Sequence, residues 1–189
     1  MRTQGSEGAE HVIFTLSLTF VLILGTLFYT YFSPRQKSKF VEISILDDGN
    51  ASNVFKGIGI GDAFNLTLLI NNKFGREIKT IIELKLGNET TETPLLRNSI
   101  RVFEGVIQNE EQREIPLTLR IEEVVVEDRY VSISEISVNG ESHGTEDVSS
   151  IDGTNFRFIF SLFEYNGDIG SFGNTNQLWN QIWFNLTTT

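Results

Sequence analysis

Two histidines, no cysteine and scattered carboxylates are the groups from which this chain could build reactive chemistry. His11 borders a long apolar run, so a Ser-His-Asp triad would have to use His143, and no spacing in the sequence supplies its partners. The absence of Cys removes disulfides, thiolate zinc sites and Cys nucleophiles, and leaves any zinc site short of ligands. Asp47-Asp48-Gly49-Asn50 gathers oxygens but lacks the spacing and closing Glu of an EF-hand loop, so a solvated turn is expected. Glu110-Glu111, Glu122-Glu123 with Glu127-Asp128, and Glu146-Asp147 with Asp152 read as solvated faces. Glycosidic chemistry needs two carboxylates at a set separation across a cleft, and nothing here fixes one. Gly57-Ile58-Gly59-Ile60-Gly61 imitates a phosphate loop, which would have to open a helix; turn glycines are expected instead. No catalytic residue, cofactor or metal is expected, and a hydrolase is the weakest reading.

Three other sets of residues have spacing that suits binding. Trp179 and Trp183 fall on one side of a strand, where indoles left outside the core would stack on a sugar or dock a partner. Leu178, Ile182, Phe184 and Leu186 would then face inward. The second set is Thr15, Thr19, Thr26 and Thr30, spaced 4, 7 and 4 apart. At about 100° per residue they fall within an arc of roughly 60° on a helix, with Gly25 near the same side. Small and hydroxyl residues of this kind let helices approach closely in a membrane. Asn50, Asn65, Asn88 and Asn185 form the third set, each opening an Asn-x-Ser/Thr sequon and so a candidate for glycosylation.

The elements that would position these residues follow from the hydropathy pattern. The chain has 189 residues, 40% hydrophobic and 21% charged, enough for one domain and something short. Val12–Phe32 contains no charged residue and matches the roughly 30 Å core of a bilayer. Its aromatic end, Phe28, Tyr29, Tyr31 and Phe32 before Ser33-Pro34, suits a membrane interface and not a cleavage site. The expected organisation is a tail at 1–11, a signal-anchor helix at 12–32, a linker at 33–39 and one domain at 40–189. That domain holds 11 basic and 23 acidic residues within a chain of net charge −10, which argues against nucleic acid as a partner. Sidedness is read from opposed signals. Arg35, Lys37 and Lys39 favour a cytoplasmic domain, whereas the sequons favour an extracytoplasmic one, and the latter reading is adopted because long domains are translocated despite nearby charge.

Beyond residue 39 the period changes to two. Val41–Leu46, Phe64–Asn71, Thr80–Leu86, Ile100–Ile107, Ile115–Ile121, Tyr130–Val138, Asn155–Tyr165 and Leu178–Leu186 read as eight strands. Ile115, Leu117, Leu119 and Ile121 form one inward set, and Pro116 suits an edge. Phe156, Phe158, Phe160 and Leu162 form another. Asn139-Gly140 is a two-residue hairpin turn, while Ser142–Gly153 and Asn166–Asn176 read as loops. The fold class expected is all-β, an antiparallel sandwich preceded by a single transmembrane helix.

Val41–Leu46, Gly59-Ile60-Gly61-Asp62 leading into Phe64–Asn71, and Phe156–Tyr165 with Leu178–Trp183 resemble the domain of unknown function 1616 family. The resemblance spans most of residues 40–189 and implies an archaeal membrane protein with an extracytoplasmic immunoglobulin-like sandwich. It transfers no catalytic motif. A non-enzymatic surface or accessory subunit is expected, with membrane lipid and other membrane or surface proteins as partners; a carbohydrate- or ligand-binding module is the alternative.

Overall fold

A computed structural model describes residues 6–32, 39–47, 50–51, 56–92, 99–166, 168 and 170–187. The chain divides into two units, Met1–Lys37 and Ser38–Thr189. The first contains helix α1, Ser6–Phe32. It begins six residues before the uncharged run because Ser6–His11 has no proline and includes Ala9 and Glu10, which are good helix formers. The stretch Phe14–Tyr31 is long and apolar enough to cross a membrane, and none of it is buried.

The second unit is a two-layer β-sandwich, with eleven strands among the described residues. In chain order they are β1 Phe40–Asp47, β2 Asn50–Ala51, β3 Lys56–Gly59, β4 Ala63–Lys73, β5 Ile78–Asn88 and β6 Ile100–Ile107. There follow β7 Gln112–Glu127, β8 Tyr130–Val138, β9 Glu141–Ile151, β10 Phe156–Asn166 and β11 Ser171–Thr187. Sheet A has the order β2-β1-β4-β7-β8-β9, and sheet B the order β3-β11-β10-β5-β6. All neighbours are antiparallel except β3 and β11.

Alternation along each strand makes the core, because successive side chains point to opposite faces. Phe64, Leu66, Leu68 and Ile70 on β4, with Ile115, Leu117, Leu119 and Ile121 on β7, are buried from sheet A. They meet Phe156, Phe158, Phe160 and Leu162 on β10 and Ile182 and Phe184 on β11. The rings form a stack across the layers, with Phe158 centred 4.7 Å from Phe184 and 6.4 Å from Phe64. Both inward sets expected from the sequence are therefore core.

One buried polar side chain ties the ends of the sheets together. Asn72, fully buried at the end of β4, donates from Nδ2 to the carbonyls of Arg76, Ile107 and Gln108 at 2.9–3.0 Å, and its Oδ1 accepts the Phe74 N–H. Such a group is tolerated in a core because its polar atoms are satisfied. Nearby, Glu111 accepts the Gln108 N–H at 2.6 Å and the Arg113 Nε–H at 2.7 Å.

The turns follow residue chemistry. Asn139 and Gly140 have φ of 51° and 87°, as the β8–β9 hairpin turn requires. Pro116 lies on β7, an interior strand opposite Thr67, not on a sheet edge. The local reason is that β8 pairs with β7 only from Leu119 onward. The Thr118 N–H meets the Asn139 side chain instead of a strand, so the nitrogen of Pro116, two residues back, faces the same open side.

Two expected loops are strands. Ser142–Gly153 falls mostly in β9, since its Ser, Thr and Val residues serve an edge strand, where one side of the backbone faces solvent. Much of Asn166–Asn176 belongs to β11, paired back to Tyr165 and Asn166 by Phe172 and Ser171. Gly57 and Gly59 lie in β3, and Gly61, at φ 81°, in the turn that follows; no helix follows.

Phe158→Ala should destabilise the domain by about 3–5 kcal/mol in denaturant unfolding, through lost burial and the cavity left between the sheets. An effect under about 1 kcal/mol would place Phe158 outside the core. Glu111 and Asp152 are held below the usual carboxylate range, Glu111 first by the Gln108 N–H and Asp152 first by Arg129. Each therefore contributes stability that is present above its unfolded pKa, about 4, and lost as pH falls through the lower folded value. The melting temperature should fall as pH drops below about 4, and Glu111→Gln with Asp152→Asn should flatten that decline.

Candidate functional site

Strand β10 is buried on both faces, which alternation of an outer and an inner set does not anticipate. Its outward positions Arg157, Ile159, Ser161 and Phe163 are buried as well, Ile159 and Phe163 being 2% and 1% exposed. Neither belongs to the inter-sheet core. They form a second apolar layer on the outside of sheet B with Ile81, which lies opposite Phe163 on β5. The signal was present in Phe158-Ile159-Phe160 and Leu162-Phe163, where apolar residues occupy both alternating sets despite Arg157 and Ser161, because a strand covered on both faces carries apolar residues at consecutive positions. Gly87 makes room for it: an added Cβ there would lie 3.0 Å from Ile159 and from Thr91.

Around this layer stand rings and cations. Register places Trp183 beside Arg157 and Trp179 beside Ser161, so both indoles are outward. Leu178 and Leu186 pack against the core from the other side of β11. Trp179 is 38% exposed and Trp183 is half-buried. The Arg157 guanidinium lies 4.9 Å from the Trp183 ring centre. At the far end, Lys79 Nζ sits 5.1 Å from the centre of Tyr165 and 5.6 Å from that of Phe172.

Arg157 is the most constrained group on this face. It is 8% exposed, donates from Nη1 to Gln181 Oε1 at 2.7 Å and from Nη2 to the Thr91 carbonyl, and among the described residues its Nε has no hydrogen-bond partner. Burial pushes the guanidinium below its ordinary pKa. Among the described residues no carboxylate forms an ion pair with it. Trp183 and two neutral acceptors hold a cation that would otherwise need an anion.

The remaining candidates are dispersed. Thr15, Thr19, Thr26 and Thr30 each donate their hydroxyl to the carbonyl four residues back, at 2.8–3.0 Å, and nothing lies within 4 Å of a Cβ added at Gly25. Asn65 is exposed on β4, its Oδ1 accepting from Thr118 Oγ1. Asn88 is half-buried; its Nδ2 donates to the Ser149 carbonyl of the opposite sheet at 2.8 Å, and Thr90 and Thr91 donate to its Oδ1. Asn185 accepts the Asn155 N–H. Asn50 lies opposite Asp47, with its side chain outside the described residues, as are Asp48 and Gly49.

His143 lies on edge strand β9 opposite Ile136, in an open groove with Ser99, Ser142 and Glu146. An adjoining cleft of about 210 Å³ has Leu84, Leu86, Ile136, Thr145, Glu146 and Val148 among its lining residues. Among the described residues no three His, Asp or Glu side chains gather as a metal site would require. Glu122 accepts from Ser137 Oγ and Asp152 from Arg129, while Glu110 and Glu127 face solvent.

No family model and no curated protein matches the chain. Among solved structures it is similar to the CARDB domain of a Pyrococcus furiosus protein in complex with di-metal ions, at 6% identity and a TM-score of 0.40, covering 80% of this chain and 90% of that one. It is also similar to the ASH/PapD-like domain 7 of human CEP192, at 9% identity and a TM-score of 0.38, covering 82% and 92%. A third likeness, to the alkylpurine DNA glycosylase AlkC of Pseudomonas fluorescens, has 14% identity and a TM-score of 0.33, and covers 58% of this chain and 30% of that one.

Replacing Arg157 by Met keeps the stem and removes the charge. Unfolding stability should stay within about 1 kcal/mol of the parent or rise, because an uncompensated buried cation is costly. A loss above about 3 kcal/mol would show that the charge is compensated in the fold.

Proposed function

We propose that this protein is a non-enzymatic, membrane-anchored accessory or surface subunit that holds a partner protein through the outward face of sheet B. The observation that carries this reading is Trp179, an indole left exposed beside half-buried Trp183 and above a buried apolar layer. Aromatic and Arg side chains around a dry centre are the anatomy of interface hot spots. In this reading α1 is the anchor, the sandwich is immunoglobulin-like and extracytoplasmic, and the resemblance to the domain of unknown function 1616 family points the same way. The threonine hydroxyl protons are taken up by the helix itself, so packing against another membrane helix would depend on the small side chains and Gly25.

A carbohydrate ligand is the second reading. Trp179 and Trp183 are four residues apart on one strand, about 13 Å, with Gln181 between them on the same face. Stacking platforms with an amide between them would suit a sugar chain.

Trp179→Ala separates both from a purely structural role. Copurification of a partner from native membranes should drop at least about 30-fold, the effect of losing roughly 2 kcal/mol, with unfolding stability unchanged within about 0.5 kcal/mol. Undiminished copurification would contradict the reading. Retention on an immobilised polysaccharide that Trp179→Ala abolishes would favour the second.

A further inference from the structure

The two outer surfaces of the sandwich differ in charge. Outward positions of sheet A hold Glu42, Glu114, Glu122, Glu123, Glu127 and Glu135, against the cations Lys73 and Arg120. On sheet B the balance reverses. Among the described positions of its strands, Lys79, Lys85, Arg101 and Arg157 face outward with Glu83 and Glu104. Arg101 and Glu104 satisfy each other at 2.8 Å, and Glu83 accepts from Ser99 Oγ. Lys79 and Arg157 sit among aromatic rings, which hold a cation without neutralising it. An acidic chain therefore presents one positive, aromatic face.

From this reversal we infer that the partner of the sheet B face is a protein surface rich in carboxylates. The inference rests on the reading of that face as an interaction face and adds the chemistry of what it meets. At physiological salt the screening length is about 8 Å, so carboxylates on the far sheet do not cancel the attraction at contact. Complementary charge would set orientation and encounter rate, while the indoles and the apolar layer would supply affinity. A folded protein fits better than a flexible polyanion, because a dry apolar centre within a polar rim matches interface anatomy.

Both tryptophans of the chain lie on this face, so their emission reports on it alone. The full-length protein in nonionic detergent is titrated with poly-L-glutamate, poly-L-lysine and polygalacturonate. Poly-L-glutamate should shift the emission, with apparent affinity falling at least about tenfold in Lys79→Glu/Lys85→Glu. An equal response to poly-L-lysine, an equal response to polygalacturonate, or no loss in the double variant would overturn the inference. A photo-crosslinker at position 179 in native membranes separates this from failure of the underlying reading. A captured partner peptide of net negative charge supports the inference, and a neutral or basic one overturns it alone. Capture of no protein overturns the interaction reading and this inference with it.

Discussion

Strand β10 must be dry on both sides, and the rest of the domain is arranged around that constraint. Its inner phenylalanines close the space between the sheets against Phe64 and Phe184. Its outer Ile159 and Phe163 need cover that no third layer of secondary structure among the described residues supplies. Gly87 leaves room beside Ile159, and the chain after β5 comes close there, its Thr91 carbonyl receiving Arg157. An aromatic and cationic rim around a buried centre is the result. Candidate function and fold stability thus draw on the same strand.

Arg157 shows how the two are linked. A cation nine-tenths buried with no carboxylate paired to it among the described residues is unfavourable, and neighbouring groups limit the cost by stacking and by two neutral acceptors. The charge remains and contributes to the potential outside the face. Among the described strands sheet A carries six of the outward carboxylates and sheet B two, so the strand charges are unevenly divided between the faces.

Much of the fold was legible because alternation of apolar residues is a strong signal for strands with one wet side. Ile100–Ile107 and Tyr130–Val138 were read at their observed bounds, as was the Asn139-Gly140 turn. β9 was missed because edge strands require little burial, and its Ser, Thr and Gly residues look like a loop. β2 and β3 were missed because two- and four-residue strands have no period. The outward indoles were legible from Leu178, Ile182, Phe184 and Leu186 claiming the other side of β11. Arg157 was not, since a lone Arg in an apolar strand gives no sign of its stacking partner. The charge reversal depends on which strands share a sheet, and that is set by topology.

The central claim is that an acidic protein presents a positive aromatic face carrying both its tryptophans. Collisional quenching of tryptophan emission in the full-length protein in nonionic detergent measures the potential there directly. Iodide should quench more strongly than caesium despite the net charge of −10, and the preference should shrink as salt is raised. Stronger quenching by caesium would show that the face follows the charge of the whole chain and would contradict the account.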